Sequence, residues 1–148
     1  MADRAPRVLV SACLLGARCR YDGAHRHYPG IEAALTGCEA VPVCPERAGG
    51  LPTPRIPCEL RGGDGAAVWE GRATVVDRQG TDRSDAFREG ARTCSQQAPA
   101  AAWALLKSGS PSCGVHSTWI DGAKVPGPGV FAALLAERGV PCRSEEEL

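Results

Sequence analysis

Apolar residues fall in short blocks along this chain, separated by polar stretches dense in glycine and proline. Arg7–Cys13 is short and β-branched and predicts a buried strand, and Glu39–Val43 predicts a second one running into Cys44. Between them lies a polar loop over Leu14–Gly30 and a short helix from Ile31 to Leu35. Pro45–Gly65 carries so many breakers that it predicts one long irregular segment. Two short strands, Ala66–Trp69 and Ala73–Val76, are expected around Glu70-Gly71. Ser84–Gln97 predicts a helix with Phe87, Ala91 and Cys94 on one face, capped at Thr81 and with Asp82 and Asp85 near its positive end. Ala100–Lys107 is helical by propensity, but its length and its place before a Gly/Pro loop favour a buried strand. Ser117–Val125 predicts a hairpin turning at Asp121-Gly122, Val130–Glu137 an amphipathic helix stopped at Gly139, and Val140–Cys142 a last strand before a helix start at Ser144.

This order predicts one α/β domain over residues 1–148, with a mainly parallel sheet flanked by helices, Rossmann-like, and long Gly/Pro-rich loops at the strand ends. Ligands of such sheets bind beyond the carboxyl ends of the strands. Cys13, Cys44 and Cys113 each fall at or just past such an end, so three thiols remote in sequence are expected to converge. The last of them sits in Ser110-Pro111-Ser112-Cys113-Gly114, a loop stiffened by Pro111 and freed by Gly114.

Composition narrows the chemistry. The 148 residues carry 17 basic and 17 acidic side chains with no long like-charge run, which argues against nucleic acid as a partner. No segment has the length of a signal peptide or a membrane span, so a soluble, cytoplasmic protein is expected. Eight cysteines in a chain large enough to bury a core then point to metal or thiol chemistry rather than to disulfides.

Thiolates are soft ligands that select zinc, copper(I) or iron–sulfur. Local Cys-x-x-Cys spacing is absent, which weakens zinc-ribbon and ferredoxin readings. Three ligands are one short of a closed tetrahedral site or cubane, and a missing ligand leaves a position able to act as a Lewis acid. Free cysteine is also among the most buried residue types, and Cys38, Cys58, Cys94 and Cys142 are read as such packing residues. Cys19 is either a redox partner of Cys13 or a loop residue. Glu46, two residues after Cys44, is the candidate acid–base group, its titration drawn towards neutrality by apolar loop walls. Its other role would be to accept backbone N–H bonds in the Gly49-Gly50 turn. Ser110 and Ser112 would orient a substrate heteroatom or cap their loop, and Arg55 would hold an anionic or carbonyl ligand or stand in solvent. His25 and His27 read as surface residues, Lys107 as an exposed lysine or a contact to a carbonyl, and Asp22 and Asp121 as turn residues.

Several blocks together resemble one family. They are Ser11-Ala12-Cys13-Leu14-Leu15-Gly16, Cys19-Arg20-Tyr21-Asp22-Gly23, Cys44-Pro45-Glu46 with Gly49-Gly50-Leu51-Pro52, Pro54-Arg55, and Lys107 to Gly114. In this order and spacing, from about Val8 to Glu146, they are similar to the thiouracil desulfidases, a family of small bacterial proteins. The alanine-rich Ala98–Ala104 departs from a more β-branched stretch in that family. The resemblance implies an α/β domain with a [4Fe-4S] cluster held by three cysteines, matching Cys13, Cys44 and Cys113, and with one open iron. It implies a catalytic glutamate at Glu46 and a catalytic serine at Ser110. The implied reaction is a hydrolytic, non-redox desulfuration of a thiolated nucleobase, thiouracil giving uracil and sulfide. A non-catalytic iron–sulfur or metal carrier, a desulfidase for another thio-compound, and a thiol-redox protein using Cys13 and Cys19 are the competing readings.

Overall fold

A computed structural model of the chain describes residues 5–18, 21–23 and 27–148. Its strands in chain order are β1 (Arg7–Ser11), β2 (Glu39–Val43), β3 (Cys58–Arg61), β4 (Thr74–Asp77), β5 (Trp103–Leu106), β6 (Ser117–Ile120), β7 (Ala123–Pro126) and β8 (Cys142–Ser144). Its α-helices are α1 (Ile31–Ala34), α2 (Pro45–Ala48), α3 (Gly65–Trp69), α4 (Ser84–Gln97) and α5 (Val130–Glu137).

The strands form two sheets rather than the single one expected. The first, in the order β2-β1-β5-β8, is parallel throughout. The second, β4-β3-β6-β7, has one parallel pairing between two antiparallel ones. The second sheet exists because the Pro-rich segment contains β3, which recruits the 117–126 hairpin to its own edge. That hairpin turns where expected, with Asp121 at φ 50° and Gly122 at φ 84°, the paired positive angles of a type I′ turn.

β1 explains why the first sheet is buried on both sides. Leu9 faces a core shared with Val43, Ala104, Leu106, α4 and α5, whereas Val8 and Val10 face Ile31, Leu35 and Leu105. Alternate residues thus serve opposite layers, which is the demand a parallel sheet makes of its strands. The main core also takes Leu60, Val68 and Val75, and so joins the two sheets across α5. For this reason α5 is buried along its whole run from Val130 to Leu135 and is not the amphipathic helix expected.

Other departures have local causes. Cys13 is not on a strand: β1 stops at Ser11 and a 3₁₀ turn follows over Ala12–Leu15. Proline at the first helical position lets Pro45–Ala48 form one helical turn within the segment read as irregular. Gly65–Trp69 is a helix, not a strand, because the Asp64 carboxylate accepts from the Ala67 N–H at 3.0 Å and caps it. Thr81 does not cap α4; the Asp82 carboxylate accepts from the Ser84 N–H at 2.8 Å instead. β8 begins two residues later than expected, and Ser144 closes it with a capping box to Glu147.

Helix α2, short as it is, lies against α4 with backbones touching. A Cβ added to Gly90 would stand 1.8 Å from the Pro45 carbonyl oxygen, and one added to Gly49 would stand 2.0 Å from that of Ala86. Gly90 therefore sits mid-helix for reasons of approach, against its poor propensity. Gly90→Ala is expected to destabilise the protein by about 2 kcal/mol or more through overpacking. An unchanged denaturation midpoint would show that the two helices do not meet this way.

Candidate functional site

Three parallel strands deliver their carboxyl ends to one place. The order β2-β1-β5-β8 runs to one side of β1 and then to the other, so the ends of β1 and β5 flank the point where the strand order reverses. A cavity of about 700 Å³ opens there and onto the second sheet. Cys13, just past β1, Cys44, just past β2, and Cys113, past β5, all line it, together with Glu46, Arg55, Ser110 and Ser112. Among the described residues, no group of three or more His, Cys, Asp or Glu side chains is placed to hold a single metal ion.

Glu46 is carried by α2 and so by the close contact of α2 with α4. Its surroundings are polar rather than apolar. One carboxylate oxygen accepts from Arg55 Nε at 3.1 Å and the other from Ser112 Oγ at 3.3 Å. The pair is largely withdrawn from water, with the Arg55 side chain 5 % and that of Glu46 14 % exposed. Arg55 is itself anchored, donating from Nη1 to the Pro52 carbonyl and to Thr53 Oγ1, each at 3.1 Å. Its guanidinium thus binds the protein's own carboxylate, and positions it.

The serines form a directed chain. Ser110 Oγ accepts the backbone N–H groups of Ser112 at 3.2 Å and Cys113 at 3.0 Å. That leaves its own proton for Ser112 Oγ, 3.0 Å away, and the Ser112 proton for Glu46. Ser112 is only 1 % exposed, which suits a link between Ser110 and Glu46 better than direct contact with a ligand.

Burial pushes the Cys113 thiol up to about 12; hydrogen bonds from Ser11 and Ser112 oppose this, while Cys44 and Glu46 add to it. Sequence reasoning left other cavity-lining residues out of the site or gave them only a minor place in it. Cys58 packs against the main core as expected but also lines the cavity, and its thiol is pushed up to about 12, chiefly by burial and then by the charges of Glu46 and Asp77. Lys107 is no surface residue: it lines the cavity, and its ammonium lies 3.4 Å from the buried Glu145 carboxylate. Ser11 lines the cavity as well. The position of Ser11 inside the block that carries Cys13 was a usable signal; nothing in the sequence marked Cys58 or Glu145.

Among the other loop residues, His27 is exposed and bonds Glu32 at 2.7 Å, while Cys19, Arg20 and His25 lie outside the described residues. Cys94 and Cys142 pack against the main core and Cys38 against the smaller one. Burial pushes Cys94 up to about 12 and Cys142 to about 11. Both are therefore expected to resist iodoacetamide at pH 8 in the folded protein and to react on unfolding. Peptide mapping that finds either modified at the unfolded rate would contradict this.

Fold and cavity define a class: an α/β domain that gathers thiols from separate strand ends around a carboxylate-bearing pocket. The 2-thiouracil desulfurase family model matches residues 8–147, and the chain belongs to that family. A solved structure described as the [4Fe-4S]-dependent thiouracil desulfidase TudS is 37% identical and superimposes with a TM-score of 0.82, over 97% of this chain and 93% of its own. YbbK of Bacillus subtilis (strain 168), described as uncharacterized, is 40% identical over 146 residues, which is 95% of this chain and 97% of YbbK. Among the described residues, no helix is long and apolar enough to cross a membrane.

Proposed function

We propose that the chain removes sulfur from a thiolated uracil by hydrolysis, with a [4Fe-4S] cluster held by Cys13, Cys44 and Cys113. The observation that carries this reading is that all three thiols and Glu46 line a single cavity. The donor set fits the group: three soft sulfurs, from three strand ends, in a space much larger than one ion needs. When bound, such a cluster supplies a Lewis-acidic iron to which a thiocarbonyl sulfur is well matched.

The protein's own residues do the rest. Arg55 holds Glu46 at the cavity wall, and Glu46 takes a proton from a water molecule. The water oxygen forms the new bond to the ring carbon, the carbon–sulfur bond breaks as the added hydroxyl loses the second water proton to become the carbonyl, and the two protons leave with the sulfur as hydrogen sulfide. No electron is gained or lost between thiouracil and uracil. Ser110 stands at the head of the hydrogen-bonded chain that ends on Glu46, and so acts in the reaction through Ser112, holding the carboxylate that takes the proton. The substrate is a small thiolated nucleobase and the protein acts in the cytoplasm.

The test is anaerobic reconstitution with iron and sulfide, followed by incubation with 2- and 4-thiouracil. Sulfide and uracil in equal amounts are expected. A protein that takes up four irons and leaves every thiouracil intact would refute the substrate, and one that takes up none would refute the site.

A further inference from the structure

Lys107 and Glu145 are a charged pair at the cavity wall that the chemistry above leaves unused. Lys107 is the residue after β5, and its side chain lines the cavity at 23 % exposure. Its backbone N–H donates to Ser11 Oγ at 2.9 Å, across the junction of β1 and β5. The ammonium turns back on its neighbour, donating to the Ser108 carbonyl at 2.8 Å and to Ser108 Oγ at 3.1 Å. Glu145 stands behind it, 4 % exposed and 3.4 Å from the ammonium. This carboxylate accepts from the Ser108 N–H at 2.7 Å, from Ser108 Oγ at 2.9 Å and from Ser144 Oγ at 3.1 Å. Carboxylate and cation thus grip one serine between them, which fixes the lysine in a single geometry.

An ammonium has three protons to give. Two go to Ser108, and the third meets no acceptor in hydrogen-bonding geometry among the described residues. The other cation on the thiol side of the cavity, Arg55, is committed to Glu46, Pro52 and Thr53. Arg61, Arg78 and Lys124 line the cavity too, but stand on or beside the second sheet. Ser110 and Cys113 follow Lys107 on the same loop, so its charge stands on the wall that carries the proton chain. A thiolated uracil offers that wall one strong acceptor besides its sulfur, the ring oxygen that the reaction leaves in place. The nitrogen between the two ring carbons passes electron density from the carbon under attack to that oxygen, where a cation stabilises it.

We propose that Lys107 is a substrate-binding residue whose ammonium donates to the retained oxygen of thiouracil, and that Glu145 is the positioning residue that holds it there. This rests on the reading of the cavity as a thiouracil site. It adds the group that tells oxygen from sulfur at the ring's second carbonyl position. Sulfur is a weak acceptor, so 2,4-dithiouracil forfeits this bond.

The experiment uses the reconstituted full chain and compares wild type with Lys107→Met, Glu145→Gln and the double variant. The double variant removes both charges and so leaves no buried carboxylate without its cation. Initial rates are measured with whichever of 2- and 4-thiouracil the wild type turns over, and with 2,4-dithiouracil. Calorimetric titration with uracil, which carries the oxygen and has no sulfur to lose, gives affinity without turnover, and iron per chain reports loading. Lys107→Met is expected to carry full iron and to raise both the KM for thiouracil and the Kd for uracil about 10–100-fold, the span of a hydrogen bond to a charged group, with kcat changed far less. Its KM for 2,4-dithiouracil should stay near the wild-type value, so that the preference between the two substrates disappears. Glu145→Gln should move KM the same way by a smaller factor, and should add nothing once Lys107 is replaced. If Lys107→Met alone does not fold, the double variant carries the same prediction. Equal losses on thiouracil and 2,4-dithiouracil, unchanged uracil affinity in a loaded variant, or loss of iron from the double variant would each overturn the proposal and leave the pair as a clamp on its loop. A wild-type chain that binds uracil but releases no sulfide from any thiouracil is a separate failure, that of the reaction under Proposed function, and the uracil titration then still decides the part of Lys107.

Discussion

Glu46→Gln protein should bind its full complement of iron and yet release sulfide from thiouracil some 10²–10⁴-fold more slowly than wild type, the usual span for a lost general base. Glutamine preserves the shape of the side chain; its carbonyl oxygen can still accept from Arg55, and its amide nitrogen can donate to Ser112 Oγ instead of accepting from it, so the site should persist. What it lacks is a place for the proton of water. Retained iron with lost turnover therefore separates the carboxylate's chemistry from any part in assembly. The carrier reading predicts the opposite, a substitution without functional consequence. Arg55→Met should produce a milder loss through disorder of the same carboxylate, and truncating Ser110 to alanine should break the chain to Glu46 at its head.

The second large effect concerns the thiols. Alanine at Cys13, Cys44 or Cys113 is expected to abolish the brown colour after reconstitution, because two remaining protein ligands do not retain a cubane. Alanine at Cys38 or Cys142, which pack against the cores away from the cavity, should leave iron content unchanged. Cys58→Ala is the most informative control, since this thiol does line the cavity. It should also keep the cluster. Iron and acid-labile sulfide per chain measure each case, and loss of iron from Cys58→Ala with retention in Cys13→Ala would reassign the ligands.

How much of this was legible beforehand depended on whether the information was local. Val8, Leu9 and Val10 announce a buried strand by themselves, and Asp121-Gly122 announces its turn, because β-branched runs and positive-φ pairs act within a few residues. The convergence of Cys13, Cys44 and Cys113 followed from strand order, since a parallel sheet puts all its carboxyl ends on one side. The Pro45–Gly65 segment failed because breakers hide short elements: Pro45 opens a helical turn, and β3 is a strand only through its partners β4 and β6. Gly65–Trp69 was misread because four apolar residues fit either period, and the cap at Asp64 decided it. The polar wiring of the site was the least accessible. Glu145 reaches the Ser108 N–H at 2.7 Å from the far end of the chain, and no spacing rule connects the two.

On the ligand set proposed above, the thiols' distribution over three strand ends also sets when iron can arrive. Before the sheet closes, Cys13, Cys44 and Cys113 are scattered along a disordered polymer and share no address. The walls that bring them together are Leu9, Val43, Leu106 and Phe131, hydrocarbon that packs without help from a metal. The apoprotein should thus be a finished receptacle, matured after translation by whatever supplies inorganic iron and sulfide. Each uptake event then tightens an already native chain by mass action, so that melting temperature becomes a gauge of loading.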